Sequence, residues 1–277
     1  MAPAPRIRTL AQPDIDVLVD WAAGEGWNPG IADAAAFRSA DPEGFLGAFV
    51  DDRMVAGISA LAYDDRFGFI GLYICDPAMR GLGHGRAVWD AGMARLGSRT
   101  IGLDAVPAQQ ANYGSMGFLP SYGTLRYSGR LKTLPPSDSD AILTADFRLV
   151  ESFDRSFFPA ARPSFLQAWL EPPHIALTHT EDGTVAGYGV ARQCREGYKI
   201  GPLFARDERT ARSLLAALAA RCDDAIHLDV PDTAERFGEW LQDEGLEPGF
   251  ATTRMYRGPK PVIALDGVFA ITTLELG

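Results

Sequence analysis

Seven consecutive residues, Arg80-Gly81-Leu82-Gly83-His84-Gly85-Arg86, combine three glycines with two arginines, shortly after the apolar run Leu72-Tyr73-Ile74-Cys75 and the pair Asp76-Pro77. The order is strand, glycine-rich turn, helix. The first turn of a helix carries unpaired N–H groups and a partial positive charge. Glycine has no Cβ, so a pyrophosphate can approach such a backbone closely. Arg80 and Arg86 can add charged hydrogen bonds. The chemistry expected is the binding of a phosphorylated co-substrate. Two common phosphate folds do not fit. The register of G-x-G-x-x-G is missing from the first strand-to-helix turn, and no Gly-Lys-Ser/Thr follows the glycines as in a P-loop.

The elements that must position this loop can be read from periodicity. Residues 7–10 form a short strand. Pro13-Asp14 opens a helix over residues 15–23, with Ile15, Leu18, Val19 and Ala22 on one face. The stretch Glu25-Gly26-Trp27-Asn28-Pro29-Gly30 breaks it, and a short helix covers residues 31–38. Strands follow at 45–50, 54–63 and 67–75, joined by Asp51-Asp52-Arg53 and Asp64-Asp65-Arg66. Turns so short and polar predict an antiparallel meander. A helix over residues 83–96 and a strand at 101–106 complete a right-handed parallel crossover.

The same plan recurs downstream. Gly57-Ile58-Ser59-Ala60-Leu61 matches Gly187-Tyr188-Gly189-Val190-Ala191, and Phe69-Ile70-Gly71-Leu72-Tyr73 matches Lys199-Ile200-Gly201-Pro202-Leu203, at one constant offset. Ile101-Gly102-Leu103-Asp104 matches Ile226-His227-Leu228-Asp229, and Arg126-Tyr127-Ser128-Gly129 resembles Arg254-Met255-Tyr256-Arg257-Gly258, at slightly shorter offsets. The chain therefore reads as two copies of one α/β unit. The Pro-rich, aperiodic segment around Pro135-Pro136 separates them, which puts the domains at 1–134 and 141–277 with a linker at 135–140.

Arg80-x-x-Gly83-x-Gly85 resembles the (Gln/Arg)-x-x-Gly-x-(Gly/Ala) signature of the GNAT acetyltransferase superfamily, and it lies in the family's place, after the fourth strand. Asn112-Tyr113-Gly114-Ser115-Met116-Gly117-Phe118 is similar to the family's Asn…Tyr-x-x-x-Gly-Phe segment. The resemblance covers roughly residues 5–131. The second half resembles the degenerate C-terminal domain of bacterial tandem GNAT proteins, and Glu25 to Gly30 is similar to a segment of their N-terminal domains. The implied fold is α/β (α+β): two tandem GNAT-like domains, each a mixed, mostly antiparallel sheet flanked by helices. The implied co-substrate is acetyl-CoA. Backbone N–H groups from Gly81 through Leu82, Gly83, His84 and Gly85 to Arg86 would cradle its pyrophosphate. The edge of Leu72, Tyr73, Ile74 and Cys75 would pair with its pantetheine arm, where the parallel strands splay. Asn112 would help hold the arm, and Tyr113 would protonate the departing thiolate. A straight offset aligns Arg80, Gly81, Gly83 and Gly85 with Thr210, Ala211, Ser213 and Leu215, and Tyr113 falls near Leu241. On that alignment Leu215 blocks the backbone, and the second copy binds no CoA. It would cap the first domain, wall the acceptor pocket or make a pseudo-dimer sheet contact.

Acetyl transfer to an amine needs a neutral amine, a polarised carbonyl and a protonated leaving group. A backbone N–H near Ile74 or Cys75 is the expected carbonyl donor. Candidate bases are Glu25, Asp104 and Asp76. Glu25 lies beside Trp27, where an acceptor should enter, and it reads equally as a solvated loop carboxylate. Asp76-Pro77 reads as a strand stop, and Asp104, repeated as Asp229 in the copy without the loop, reads as structural. Cys75 reads as a buried small hydrophobe, and His84 as a solvated residue at the helix start. Trp21, Trp27, Phe37 and Phe45 could line a pocket, though such aromatics usually belong to the core.

Bulk properties narrow the function. Of 277 residues, 47% are hydrophobic and 22% charged, as in an ordinary globular protein. The net charge of −10 and the absence of any basic run argue against nucleic acid. Three scattered cysteines and four unpaired histidines point to neither disulfides nor a metal site. Neither a signal peptide nor an apolar span is evident, so the expected setting is cytoplasmic, without a membrane partner. The function implied is acetyl-CoA-dependent N-acetylation of a small-molecule primary amine by a monomer or homodimer. The alternative is an acyl-CoA-sensing module without catalysis.

Overall fold

Residues 4–132, 140–141 and 146–277 are described in a computed structural model. The first half runs β1 (Arg6–Thr9), α1 (Gln12–Gly24), α2 (Asp33–Ala40), β2 (Phe45–Val50), β3 (Arg53–Ala62), β4 (Phe67–Cys75), α3 (His84–Leu96), β5 (Thr100–Ala105), α4 (Gln110–Ser115) and β6 (Leu119–Gly129). The second runs β7 (Asp140–Ala141), α5 (Phe147–Asp154), α6 (Pro163–Trp169), β8 (Ile175–Glu181), β9 (Thr184–Gln193), β10 (Tyr198–Ala205), α7 (Glu208–Ala219), β11 (Ile226–Pro231), α8 (Glu235–Asp243), β12 (Glu247–Arg257) and β13 (Val268–Ala270). Of the expected linker, residues 135–139 lie outside the described residues, and Asp140 belongs to a strand that pairs with Thr178 of β8. No helix among the described residues is long and apolar enough to cross a membrane.

The meander and the crossover form as their patterns require. Strands β2, β3 and β4 pair antiparallel, and β4 pairs parallel with β5. In α1, Pro13 and Asp14 sit in the first turn, and Ile15, Leu18, Val19 and Ala22 are its buried face. Phe37 and Phe45 are fully buried, and Trp21 packs against the same core. That core lies between one face of the sheet and α1, α2, α6 and the C-terminal segment, while α3 covers the other face of the first half with Val88 and Trp89.

One feature of the topology is not implied by the repeat. The two halves exchange their last long strands. β12 of the second half lies beside β5, and β6 of the first half lies beside β11, so among the described residues a single 13-stranded sheet runs through both halves. A buried ion pair marks each exchange. Arg254 of β12 grips Asp104 of β5 with bonds of 2.7 and 2.8 Å, and Arg126 of β6 grips Asp229 of β11 with bonds of 2.8 and 3.0 Å. Burial opposes the charge on Arg254, yet Asp104 beside it outweighs that effect and raises its pKa well above the usual range. Bidentate geometry fixes the register, because a slip would strand a buried charge.

Candidate active site

The parallel pair β4–β5 is zipped only from Phe67↔Thr100 to Ile70↔Leu103. Beyond that point β4 bulges. Leu72 and Tyr73 together face the single residue Ile58 of β3, and Leu72 adopts a φ of 46°. A bulge bends and twists its strand, so β4 swings away from β5. Burial along β4 records the change. Phe67 to Ile70 are all buried, and thereafter buried Leu72 and Ile74 alternate with half-exposed Gly71, Tyr73 and Cys75. The gap is a cleft of about 560 Å³ that passes through the sheet. Its lining includes Leu72, Tyr73, Ile74, Cys75, Arg80, Asn112, Tyr113, Glu25 and Trp27, so residues expected from separate motifs converge on one place.

The glycine turn stands at one mouth of the cleft. Gly83 caps α3 with a φ of 88° and supplies no side-chain hydrogen bond to the first turn. A Cβ added at Gly83 would point into open space. The helix start is therefore uncovered and spacious, as a phosphate cradle must be. Arg80 Nη2 reaches Glu25 Oε1 at 2.5 Å and its Nε reaches the Cys75 carbonyl at 3.2 Å, while Arg86 pairs with Asp90 at 2.7 Å. Leu82 is exposed. His84 departs from expectation. It is 1% exposed, on the buried side of α3 with Val88 and Trp89.

On the same face as α3, Tyr113 stacks on Trp89 with centroids 5.5 Å apart, and Tyr73 lies 5.2 Å from the same indole. Burial, followed by the neighbouring Tyr73, pushes the Tyr113 phenol above its ordinary pKa, so it keeps its proton throughout the physiological range. Asn112 is exposed and bonds Gln109 at 3.2 Å. Cys75 is half-buried in the cleft wall rather than buried in the core. Burial raises its thiol pKa more than nearby Arg80 lowers it, which keeps the sulfur protonated and a poor nucleophile. Asp76 stops β4, capping Ala78 at 2.9 Å and pairing with Arg53. Asp104 is fully engaged by Arg254. Of the three candidate bases, Glu25 alone is exposed at the cleft without a buried partner.

Phe250, Thr252 and Leu274 also line the cleft, and all three come from the second half. No local pattern announced them, since they arrive through the strand exchange and the C-terminal segment. The second half also holds the loop that carries Trp27. Lys199 donates to the Trp27 carbonyl at 2.8 Å and Asn28 donates to the Glu196 carbonyl at 2.8 Å, while Arg126 of the first half's own β6 adds a bond of 3.2 Å to the Trp27 carbonyl.

The second copy lacks the loop for a reason other than the one expected. After β10, α7 begins at Glu208, so only Arg206 and Asp207 stand where residues 76–83 stand in the first half. The loop is shortened rather than substituted. Asp207 takes the cap position and its carboxylate accepts from Thr210 N at 2.8 Å, so the helix start is already occupied. Leu215 does not block a backbone approach, being fully buried in the core beneath α7.

A mostly antiparallel sheet whose one parallel strand pair parts beside a helix, found twice in one chain and with a glycine-capped helix in the first copy, is the architecture of a tandem acyltransferase of the GNAT family, and this chain belongs to that family. The acetyltransferase (GNAT) family model matches residues 13–123, and an acetyltransferase (GNAT) domain model matches residues 150–270. The chain is 32% identical over 268 residues to holothin acyltransferase of Pseudoalteromonas sp. (strain SANK 73390), covering 94% of this chain and 90% of the relative. A putative acetyltransferase from Pyrococcus horikoshii shares the whole fold, with a TM-score of 0.84 at 21% identity, covering 100% of this chain and 97% of that one. A tandem GNAT protein from the clavulanic acid biosynthesis pathway has a TM-score of 0.62 at 16% identity, covering 92% and 99%.

Proposed function

We propose that the protein transfers an acetyl group from acetyl-CoA to the primary amine of a small molecule, by direct attack within a ternary complex in the first-half cleft. The observation that carries this reading is the placing of a glycine-cradled helix start without a side-chain cap, whose Gly85 lies against Tyr73 and Cys75, beside the cleft walled by the split β4 edge. Backbone N–H groups from Gly81 to Arg86 hold the pyrophosphate, and the edge from Leu72 to Cys75 pairs with the pantetheine arm. Acetyl-CoA supplies the activated acyl group. Tyr113 gives its proton to the departing sulfur, a role that suits a phenol held neutral by burial. Glu25 takes the proton of the attacking amine. Its pair with Arg80 is exposed and worth less than about 1 kcal/mol, so a pyrophosphate can recruit Arg80 and leave Glu25 free. The protonated Cys75 thiol favours direct attack over an acyl-enzyme. A small-molecule acceptor is supported by the Pseudoalteromonas relative, a holothin acyltransferase.

Tyr113→Phe is expected to lower kcat about 10²-fold while leaving the Kd for acetyl-CoA unchanged, as read by thiol release and calorimetry. An unchanged kcat would leave an acyl-CoA-binding protein without this acid. Glu25→Gln is expected to lower kcat for an alkylamine about 10²-fold near neutral pH. The deficit should shrink as pH rises, because more of the amine is then neutral without help. A deficit that stays constant from pH 7 to 10 would remove Glu25 as the base.

A further inference from the structure

The split that opens the first-half cleft also exists in the second half, where it is filled. β10 pairs parallel with β11 from Tyr198↔Ile226 to Ile200↔Leu228, the counterparts of the last paired residues of β4 and β5. Beyond that point the strands part, and β13 enters the wedge. It pairs antiparallel with Leu203 and Phe204 of β10, and Ile271 N donates to the Asp229 carbonyl of β11 at 3.0 Å. Phe269 and Ala270 are buried in the second-half core. The edge equivalent to the proposed pantetheine edge is therefore bonded to the chain's own C-terminal segment.

That segment continues from the second wedge to the first. A Cβ at Gly201 would overlap the carbonyl of Thr272, and a Cβ at Gly71 would overlap the carbonyl of Glu275, so the segment passes tight against both bulges. Arg162 holds it there by donating to Thr272 Oγ1 at 2.9 Å, Ser59 Oγ by donating to the Glu275 carbonyl at 3.1 Å and the Tyr63 hydroxyl by donating to the Leu276 carbonyl at 2.9 Å, while Leu276 N bonds Thr273 Oγ1 at 2.9 Å within the segment. Leu276 is fully buried. Between these anchors, Leu274 projects into the first-half cleft and is 8% exposed. It belongs to the core on the α1–α2 side of the sheet, where Trp27 and Phe250 also pack, opposite the face that carries α3 and Tyr113.

We infer that Leu274 is a specificity-determining residue, the end wall that limits the size of the acceptor. The filled second wedge is the device that holds this wall in place. The inference rests on the proposed acyl transfer and adds which side chain selects the amine. The phosphate loop and Tyr113 approach the cleft from one face, so the acceptor meets Trp27, Phe250 and Leu274 on the other. The anchors on both sides of Leu274 prevent its backbone from retreating, so side-chain volume converts directly into pocket depth.

The test is kcat/KM with acetyl-CoA for benzylamine, 2-phenylethylamine and tryptamine, alongside calorimetric Kd values for acetyl-CoA. The proteins are wild type, Leu274→Ala, Leu274→Phe and the volume-conserving Leu274→Met. Leu274→Ala is expected to raise the preference for tryptamine over benzylamine about tenfold or more, and Leu274→Phe to lower it. Leu274→Met should keep the wild-type ranking, and the Kd for acetyl-CoA should stay within about twofold throughout. A Leu274→Ala variant that acetylates an amine the wild type refuses also supports the inference. Transfer by wild type with an unaltered ranking in Leu274→Ala and Leu274→Phe overturns the inference and leaves the acyl-transfer reading standing. So does an equal loss on all three amines, or binding of acetyl-CoA with no turnover by any of the four proteins. Absence of acetyl-CoA binding to wild type brings down the parent reading, and this one with it.

Discussion

Acetyl-CoA at one hundred times its Kd is expected to stabilise the wild-type protein by about 2.7 kcal/mol, a rise of roughly 5 °C in Tm for a chain of this size, and to leave Gly83→Leu unmoved. Gly83 holds a φ of 88° as the cap of α3, and the space a side chain would enter there is empty of protein. A leucine meets two obstacles. The left-handed conformation costs a non-glycine residue about 1–2 kcal/mol, so the variant should melt lower without ligand. Its side chain also occupies the volume in front of the first-turn N–H groups, where the pyrophosphate must come. The ligand-induced increment, not the starting Tm, is therefore the quantity to read. The second half supports the comparison, because the Asp207 carboxylate accepts from Thr210 N at the start of α7 and its negative charge there opposes a second anion. An increment kept in full by Gly83→Leu would move the cofactor site away from this loop.

The second large effect is on stability. Arg254→Ala is expected to cost about 3–5 kcal/mol, because it leaves the Asp104 carboxylate buried without its partner. Both side chains of the pair are nearly inaccessible, at 4% and 0%. Arg254 also lies over the rings of Phe69 and Tyr122, with its guanidinium carbon 4.9 and 5.6 Å from the centroids, so packing is lost along with charge. Replacing both partners with apolar residues, Asp104→Leu with Arg254→Met, should recover most of the loss. Urea melts are the measurement, read as a lower midpoint at constant slope. A loss under about 1 kcal/mol for Arg254→Ala would falsify the view that this pair locks the exchanged strand.

The strand exchange also explains which parts of the cleft were legible. Glu25, Trp27, the β4 edge, the glycine loop and Tyr113 all lie in the first half, and each was visible in a local pattern. Phe250 and Thr252 belong to β12, which a reading of two separate domains places in the second half. The shortening of the second-copy loop is hidden from a straight alignment for a related reason. A constant offset holds only while no residues are deleted, and the deletion falls immediately after β10, where the alignment mattered most.

By itself the sequence determined the two copies, the meander, the crossover, the amphipathic α1 and the glycine-rich turn before α3. These are near-neighbour properties, set by periodicity, by turn residues and by the conformational freedom of glycine. Tertiary structure alone decided which long strand completes which half, and where the C-terminal segment runs. The physical reason is degeneracy. β6 and β12 descend from one pattern, and each carries an arginine that either Asp104 or Asp229 could accept. Intact and exchanged pairings therefore satisfy the same local rules, and only packing of the whole molecule separates them. Leu274 shows the same limit, as a leucine in a short terminal stretch whose place in the cleft depends on anchors at Ser59, Tyr63 and Arg162, far away along the chain.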